Sequence, residues 1–267
     1  MTKAMQRRTI VLIHGFGCGG DVWDKMKAAL QDHSWPCLAP TLCDADRPLN
    51  FPPQEAAQIG LNEYLADARK LCLQVENETG RKPVVIGHSM GGLIAQALAA
   101  EGRCSHAVLI APAPPRAVKN LSLWQLWLYA NVLLTGKRNR YHKAWRCGVE
   151  TVLLNRVPPF QRDRIHAKLR YEPGHLFSDM MKGVDIPRYG IQVPLLVIAG
   201  GRDRIIPARV VHKTVEHYRH KSVEHYRHKS VACDELYYGT RGHWIIDEPG
   251  NQQFISDVIA WLEGADS

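Results

Sequence analysis

Long uninterrupted hydrophobic runs are missing from this 267-residue sequence. A membrane-spanning helix needs about 18 or more apolar residues without charges, and the longest candidate, Leu121–Leu134, is shorter than that. The apolar run Thr9–Ile13 follows a basic start, but it is too short for a secretory signal peptide and is interpreted as a first β-strand. We therefore expect a protein without a membrane span or a signal peptide.

Cysteine pairs with metal-binding or redox spacing are also missing. The seven cysteines are odd in number and scattered, and no two of them form a C-x-x-C motif. A disulfide framework or a zinc site is therefore not expected, and reduced thiols indicate a cytoplasmic protein. No nucleic-acid recognition module is readable in the sequence, which argues against binding of DNA or RNA.

The sequence does contain a strand, a tight turn and a helix over Val84–Ala95. A β-branched run stops at Gly87, and an apolar, helix-compatible stretch follows Gly92. The turn matches the pattern G-x-S-x-G, in which the flanking glycines leave room for an exposed serine hydroxyl on a strained turn. We predict that Ser89 is a nucleophile and that the backbone N–H of Met90 faces the oxyanion that forms.

Apolar runs typical of buried parallel strands alternate with helical patterns along the chain. This alternation indicates βαβ units and an α/β fold, with a mostly parallel sheet of about six strands flanked by helices. Active sites of such sheets lie at the carboxyl ends of the strands. The strands are predicted at Thr9–Ile13, Trp35–Ala39, Val84–Ile86, Ala107–Ala111, Pro194–Ala199 and Ala232–Tyr238.

Three polar residues follow such strand ends, namely Ser89, Asp203 and His243. A serine hydroxyl needs a base at neutral pH, and an imidazole with a pKa of about 6.5 is suited to that task. A carboxylate can hold the imidazole in one tautomer and stabilise its cation. Other acids are weaker candidates, because none of them ends a strong strand: Asp44, Asp46 and Asp247.

A glycine-rich turn, HGFGCGG, follows the first strand. Glycines let backbone amides approach a ligand closely, so the N–H of Phe16 is the predicted second oxyanion donor, with a plain connecting loop as the alternative. Asp21 is expected to cap a helix over Val22–Gln31.

Taken together, the motifs HGFGCGGDVW, GHSMGG, GGRDRIIP and GHW resemble the α/β-hydrolase family, in its small esterase branch with a helical cap. The likeness extends over essentially the whole chain. It implies Ser89 as nucleophile, Asp203 as acid, His243 as base, and oxyanion amides at Phe16 and Met90. No metal ion or organic cofactor is expected.

Residues 113–187 are predicted to form a helical cap, or lid, inserted after the fourth core strand; we call this segment the insertion. The α/β-hydrolase core would then comprise residues 1–112 and 188–267. The composition changes at a group of prolines from Pro112, and no strand-like run is visible afterwards. Helices are expected at Leu121–Leu134, Tyr141–Asn155, Pro159–Arg170 and Leu176–Met181.

The insertion also carries the positive charge of the chain. The formal net charge is +8, and residues 112–190 contain 14 Lys and Arg against five Asp and Glu. Trp124, Trp127 and Leu128 lie in an apolar helix flanked by a basic run, and we predict that they bind an apolar acyl group. The positive charge of the cap is compatible with two kinds of partner, an acidic carrier protein and a lipid surface, and the sequence does not decide between them. The alternative is that the aromatic residues pack on the core.

These features predict a serine hydrolase that cleaves small-molecule carboxylic esters through an acyl-enzyme intermediate. A thioesterase or a carrier-protein methyl ester esterase is an alternative, and so is a non-catalytic ligand receptor with the same fold. The acyl chain length, the alcohol and the oligomeric state do not follow from the sequence.

The octapeptide VEHYRHKS occurs twice in succession, at Val215–Ser222 and Val223–Ser230. We interpret it as a small duplication that lengthens an exposed helix. A metal site on its histidines is disfavoured, because no acidic or thiol ligand is patterned with them.

Overall fold

The computed structural model describes residues 7–118, 120, 122–135, 139–187, 189–219 and 232–265. Its centre is a six-stranded sheet in the order β2-β1-β3-β4-β7-β8, in which every pair is parallel. The predicted fold class is confirmed. The strands are β1 (Ile10–Ile13), β2 (Cys37–Leu38), β3 (Val84–His88), β4 (His106–Ile110), β5 (Tyr141–His142), β6 (Glu172–Pro173), β7 (Leu195–Gly200) and β8 (Cys233–Tyr238).

Helices cover both faces of the sheet because its strands are apolar on both faces. In β1, Val11 and Ile13 belong to one hydrophobic cluster, whereas Ile10 and Leu12 belong to the other. Helices α2, α3 and α9 pack on the first face, and α1 and α10 pack on the second. The helices are α1 (Asp24–Asp32), α2 (Leu61–Thr79), α3 (Met90–Ala100), α4 (Leu123–Leu128), α5 (Ala130–Thr135), α6 (Arg146–Gly148), α7 (Pro159–Lys168), α8 (Gly174–Lys182), α9 (Ala208–Tyr218) and α10 (Gln252–Ala265).

The helices of the insertion are interrupted at more places than the sequence pattern predicts. Instead of one helix over Leu121–Leu134, α4 ends at Leu128 and α5 begins at Ala130. Tyr129 between them has φ −106° and ψ 16°, and its ring packs edge-on against that of Phe16, with centroids 5.5 Å apart. The break therefore coincides with a long-range contact that local periodicity does not encode.

The expectation of an insertion without strands is wrong. Tyr141–His142, at the start of a predicted helix, pairs antiparallel with Glu172–Pro173. Helical structure begins there only after His142, with α6 and a π-helical turn over Val149–Leu153. Each of these strands is only two residues long. Such a segment is too short to show the alternation of apolar and polar residues by which a strand is recognised in a sequence. Apolar residues of the insertion, including Val149, join the hydrophobic cluster on the α2 face of the sheet. The division into a core and a cap stays a prediction.

The prediction that Asp21 caps the first helix is also wrong. Residues Gly20–Trp23 form a 3₁₀ turn, and α1 begins at Asp24 without a side-chain cap. The Asp21 carboxylate lies 2.7 Å from the Nζ atom of Lys168 in α7 instead. This acid therefore links the core to the insertion.

Most of the tandem octapeptide lies outside the described residues. Helix α9 ends at Tyr218, within the first copy, and residues 220–231 are not described. The expectation that one helix continues through both copies is therefore wrong, because Arg219 after Tyr218 is not helical. Across the described ranges, no helix has both the length and the apolar character required to cross a lipid bilayer.

Candidate active site

Ser89 occupies a sharp turn between β3 and α3. Its backbone has φ 56° and ψ −115°, a conformation that side-chain-bearing residues rarely adopt. The turn closes only because its neighbours are glycines: a Cβ on Gly87 would lie 2.1 Å from the carbonyl oxygen of Gly91, and one on Gly91 would lie 2.1 Å from that of Ile13. The G-x-S-x-G pattern thus serves backbone packing here and leaves the Ser89 side chain partly exposed.

Ser89, His243 and Asp203 form a continuous hydrogen-bonded chain. The Ser89 hydroxyl and the Nε2 atom of His243 are 3.0 Å apart, and His243 Nδ1 lies 2.7 Å from Asp203 Oδ2. With Nδ1–H donating to the carboxylate, Nε2 is left as the acceptor for the serine proton. The three residues predicted from separate strand ends are therefore brought together at one edge of the sheet.

Asp203 is held in the geometry that the imidazole requires. Its second carboxylate oxygen, Oδ1, accepts the backbone N–H groups of Ile205 and Ile206 at 2.7 and 2.8 Å. These hydrogen bonds fix the orientation of the carboxylate plane. They also supply the donors that a carboxylate buried away from water requires. The side chains of Asp203 and His243 are both almost completely buried.

Two backbone N–H groups beside Ser89 have no acceptor among the described residues, those of Phe16 and Met90. Met90 is the first residue of α3, where an N–H has no intrahelical partner. The turn with Phe16 lies close to the serine, since a Cβ on Gly15 would meet Ser89 Cβ at 3.2 Å. Two free amides next to a serine hydroxyl are the donors that an oxyanion hole needs.

Two buried histidines flank this region, His14 and His88. Burial, with a smaller contribution from Arg47, lowers the pKa of His14 to about 3. Burial, with a smaller contribution from His243, likewise lowers the pKa of His88 to about 3. Both rings are therefore neutral at neutral pH, and in that form His14 accepts the backbone N–H of Leu42 and His88 donates to the carbonyl of His243.

The turn that carries Phe16 is held by a buried polar cluster that the sequence pattern does not indicate. The Gly17 N–H donates to Glu172 of β6 at 2.7 Å, and Glu172 also pairs with Arg47. Burial opposes the Arg47 charge, but the neighbouring carboxylate offsets this and raises the pKa of Arg47. Arg47 and Glu172 are 125 residues apart in sequence, and neither belongs to a recognisable motif.

The insertion also contacts the other two turns of the site. The Asn155 side chain donates to the carbonyl of Arg202 at 2.9 Å, directly before the acid. Arg156 donates to the carbonyl of Thr240 at 3.1 Å, in the turn that precedes the imidazole. Each of the three turns that bring the acid, the base and the Phe16 amide is thus bonded to the insertion.

A cavity of about 40 Å³ lies beside Ser89, and about half of the residues that line it belong to the insertion. That volume holds about one water molecule. A neighbouring cleft of about 400 Å³ shares Cys18, Leu169 and Trp244 with it. The apolar residues that line the cavity include Leu128, Val149, Leu153, Leu169, Ile205 and Trp244.

Of the three predicted substrate-binding residues, Leu128 lines this cavity, whereas Trp124 and Trp127 are outside its lining. Trp124 lies under the guanidinium of Arg204, 4.4 Å from it. Trp127 packs against Trp145, with ring centroids 4.4 Å apart. Contact with a substrate stays a prediction for all three residues.

The surface of α4 and α5 is apolar and faces solvent. A lipid surface or an acidic carrier protein as its partner stays a prediction. The exposed apolar residues on these helices are Leu123, Trp124, Leu126, Trp127, Leu133 and Leu134.

The six-stranded parallel sheet carries a serine at a strand–helix elbow and a hydrogen-bonded histidine and aspartate after later strands. These features together define a recognised class of protein. A family model described as the alpha/beta hydrolase family matches residues 10–250. The chain belongs to the alpha/beta hydrolase family.

Solved structures similar to this chain include several hydrolases. A methylesterase from Arabidopsis superposes with a TM-score of 0.68 at 15% identity, covering 96% of this chain and 99% of its own. A hydrolase from Pseudomonas aeruginosa gives a TM-score of 0.67 at 19% identity, covering 97% and 91%. A monoacylglycerol lipase from Paleococcus ferrophilus gives 0.63 at 20% identity, covering 95% and 93%. At these levels of sequence identity, the comparison shows that the proteins share a fold and no more than that.

Proposed function

We propose that this protein hydrolyses carboxylic esters of small molecules with an apolar acyl group. The observation that carries the proposal is the hydrogen-bonded chain from Asp203 through His243 to Ser89, next to the free amides of Phe16 and Met90. Nucleophile, base, orienting acid and oxyanion donors are the full set of groups that acyl transfer requires. The methylesterase and the lipase of similar fold lend support, since both names denote ester hydrolysis.

In the first half of the reaction, Ser89 Oγ attacks the ester carbonyl carbon while His243 Nε2 takes the hydroxyl proton. Asp203 stabilises the imidazolium that forms, without itself becoming protonated. The N–H groups of Phe16 and Met90 donate to the oxyanion of the tetrahedral intermediate. This intermediate then collapses, His243 protonates the departing alkoxide, and the acyl group remains on the serine oxygen.

In the second half, water enters the position that the alcohol has left. His243 removes a proton from the water as its oxygen attacks the acyl carbon, and the same two amides stabilise the second oxyanion. Collapse returns the proton to Ser89 and releases the carboxylic acid.

The test is hydrolysis of p-nitrophenyl esters from acetyl to palmitoyl by the wild type and by Ser89→Ala. We expect the variant to lose at least about 10³-fold in kcat/KM, because the residual rate comes only from binding and the oxyanion donors. Ser256→Ala, on the exposed face of α10, is the matched control and should retain wild-type rates.

Thioesters of the same acyl groups form a second arm of the experiment. Higher kcat/KM on thioesters than on oxyesters of equal chain length would favour a thioesterase. Tight retention of an ester with no turnover above that of Ser89→Ala would instead favour a ligand receptor and contradict the proposal.

A further inference from the structure

Gly17, the residue after Phe16, is attached to the insertion through both of its backbone polar groups. Its N–H donates to Glu172 Oε1 at 2.7 Å. Its carbonyl oxygen accepts the backbone N–H of Arg170 at 2.7 Å. The segment 170–172 of the insertion therefore holds the two peptide units that flank the Gly17 Cα, directly after the Phe16 N–H.

The Glu172 carboxylate has no hydrogen-bonding capacity left. Oε1 accepts from Gly17 and from Arg47 Nη2, the latter at 2.5 Å, and Oε2 accepts from Arg47 Nε at 2.9 Å and from the Tyr64 hydroxyl at 2.6 Å. A carboxylate offers about four lone-pair positions, and all of them are used here. Burial, together with Glu172, raises the pKa of Tyr64, so the phenol remains a donor.

Arg47 connects the cluster to the Phe16 turn and to the loop that follows β2. Its Nη2 donates to the carbonyl of Cys18 at 2.6 Å, and its Nη1 donates to that of Leu42 at 3.0 Å. Arg47 and Glu172 are both fully buried. A buried charge without its partner is strongly destabilising, so this arrangement of the turn depends on the presence of segment 170–172.

We propose that Glu172 is a positioning residue for the oxyanion hole. Glu172 fixes Gly17 and, through Arg47, Cys18, and it thereby keeps the Phe16 N–H directed at the oxyanion. On this proposal the Phe16 N–H has the correct direction only while segment 170–172 packs on the core. The insertion then contributes to catalysis as well as covering the site. This inference rests on the proposed ester hydrolysis.

A second Arg–Glu pair in the molecule provides a matched control. Arg69 and Glu101 have the same two-point geometry, with Nε–Oε2 and Nη2–Oε1 distances of 2.7 and 2.8 Å. Both side chains are about a third exposed, and their contacts lie away from the Phe16 turn. Glu101→Gln therefore reproduces the chemical change of Glu172→Gln without the predicted effect.

The experiment compares kcat, KM and inhibitor affinity for the wild type, Glu172→Gln and Glu101→Gln. Losing one oxyanion donor costs about 10²–10³-fold in kcat, so a misdirected donor should cost about 10- to 100-fold. We expect KM to change less than about threefold, since the donor acts in the transition state. A trifluoromethyl ketone, whose Ser89 adduct carries an oxyanion, should lose affinity by the same factor as kcat.

A double variant separates positioning from folding. Glu172→Gln leaves the buried Arg47 charge unpaired, whereas Arg47→Met with Glu172→Met removes both charges, so that no buried charge is left without a partner. A folded double variant with reduced kcat and reduced ketone affinity supports the proposal. Wild-type kcat in a folded double variant overturns it, as does a Tm loss with unchanged kcat in Glu172→Gln.

The outcome remains informative if the wild type is no faster than Ser89→Ala on every ester. The proposed function then fails, and amide hydrogen exchange of residues 15–18 tests the positioning itself. Faster exchange of these amides in the double variant, but not in Glu101→Gln, supports the role of Glu172. Unchanged protection contradicts it.

Discussion

The Nε2 atom of His88 lies 2.8 Å from the backbone carbonyl oxygen of His243. A carbonyl only accepts, so Nε2 carries the proton of the His88 ring. The opposite nitrogen, Nδ1, is buried without a partner among the described residues. The residue before the serine thus supports the backbone of the residue that carries the base, and it does so as a neutral ring.

This neutral state gives a pH prediction for stability. The pKa of His88 is lowered to about 3 in the folded chain, against an ordinary value of 6.5, mainly by burial. Between these two pH values the unfolded chain binds the proton and the folded chain does not, so stability falls as the pH falls. The slope is about 1.4 kcal/mol per pH unit for one such histidine.

We expect His88→Gln to reduce the slope of the unfolding free energy against pH by about that amount between pH 6 and pH 4. Urea unfolding at a series of pH values measures the slope, and the difference between the two proteins isolates this one group from the other titrating residues. Equal slopes would contradict the assignment.

The second prediction concerns the acid. Asp203→Asn retains an oxygen that can accept the N–H groups of Ile205 and Ile206, so the fold should survive. Its amide stabilises the wrong imidazole tautomer, and kcat should fall by about 10⁴-fold. Steady-state kinetics measure the loss. Asp163→Asn, at an exposed ion pair with Arg146, is the control and should leave kcat unchanged.

The third prediction concerns the elbow glycine. A Cβ at Gly87 would lie 2.1 Å from a carbonyl oxygen and 2.7 Å from the backbone nitrogen of Gly92. Neither backbone atom can move without displacing the serine, so Gly87→Ala should cost about 3 kcal/mol or more in unfolding free energy. At Gly264 a Cβ would meet open space, and Gly264→Ala should keep the wild-type Tm or raise it slightly. Comparable Tm values for both variants would refute the packing explanation.

The fourth prediction concerns acyl specificity. Leu128 lines the small cavity beside the serine, and Leu128→Ala gives an acyl chain more room there. Each additional buried methylene is worth about 1 kcal/mol, so kcat/KM should rise for longer chains relative to acetyl. Leu134→Ala removes the same atoms from an exposed position, and its chain-length profile should match the wild type. The same profile in both variants would show that the acyl group lies elsewhere.

The elements that could be predicted from sequence share a local cause. The apolar run at Val84–His88 and the glycines around Ser89 specify a strand and a tight turn through short-range sterics alone. Parallel strands then align their carboxyl ends, so the sequence alone predicts that Asp203 and His243 lie near Ser89. Their hydrogen-bond distances are consistent with that expectation.

The predictions that were wrong fail where a distant contact decides. Tyr129 interrupts the first helix of the insertion beside Phe16, and Tyr141–His142 finds a strand partner in Glu172–Pro173. Asp21 looks like a helix cap in the local sequence, yet its carboxylate pairs with Lys168. In each case the side chain or segment contacts a residue far away in sequence, and such a contact is not encoded in the local propensities on which the predictions relied.

The sequence by itself determined the parallel sheet, the serine elbow and the residues after the strand ends, because these follow from periodicity and from the space that glycines leave. Only the tertiary structure decided how the Phe16 turn is held. Arg47 and Glu172 come from unrelated segments, and their charges are stable inside the protein only when folding brings them within hydrogen-bonding distance. Such a pair has no spacing in the sequence, since it depends on how the insertion packs on the core.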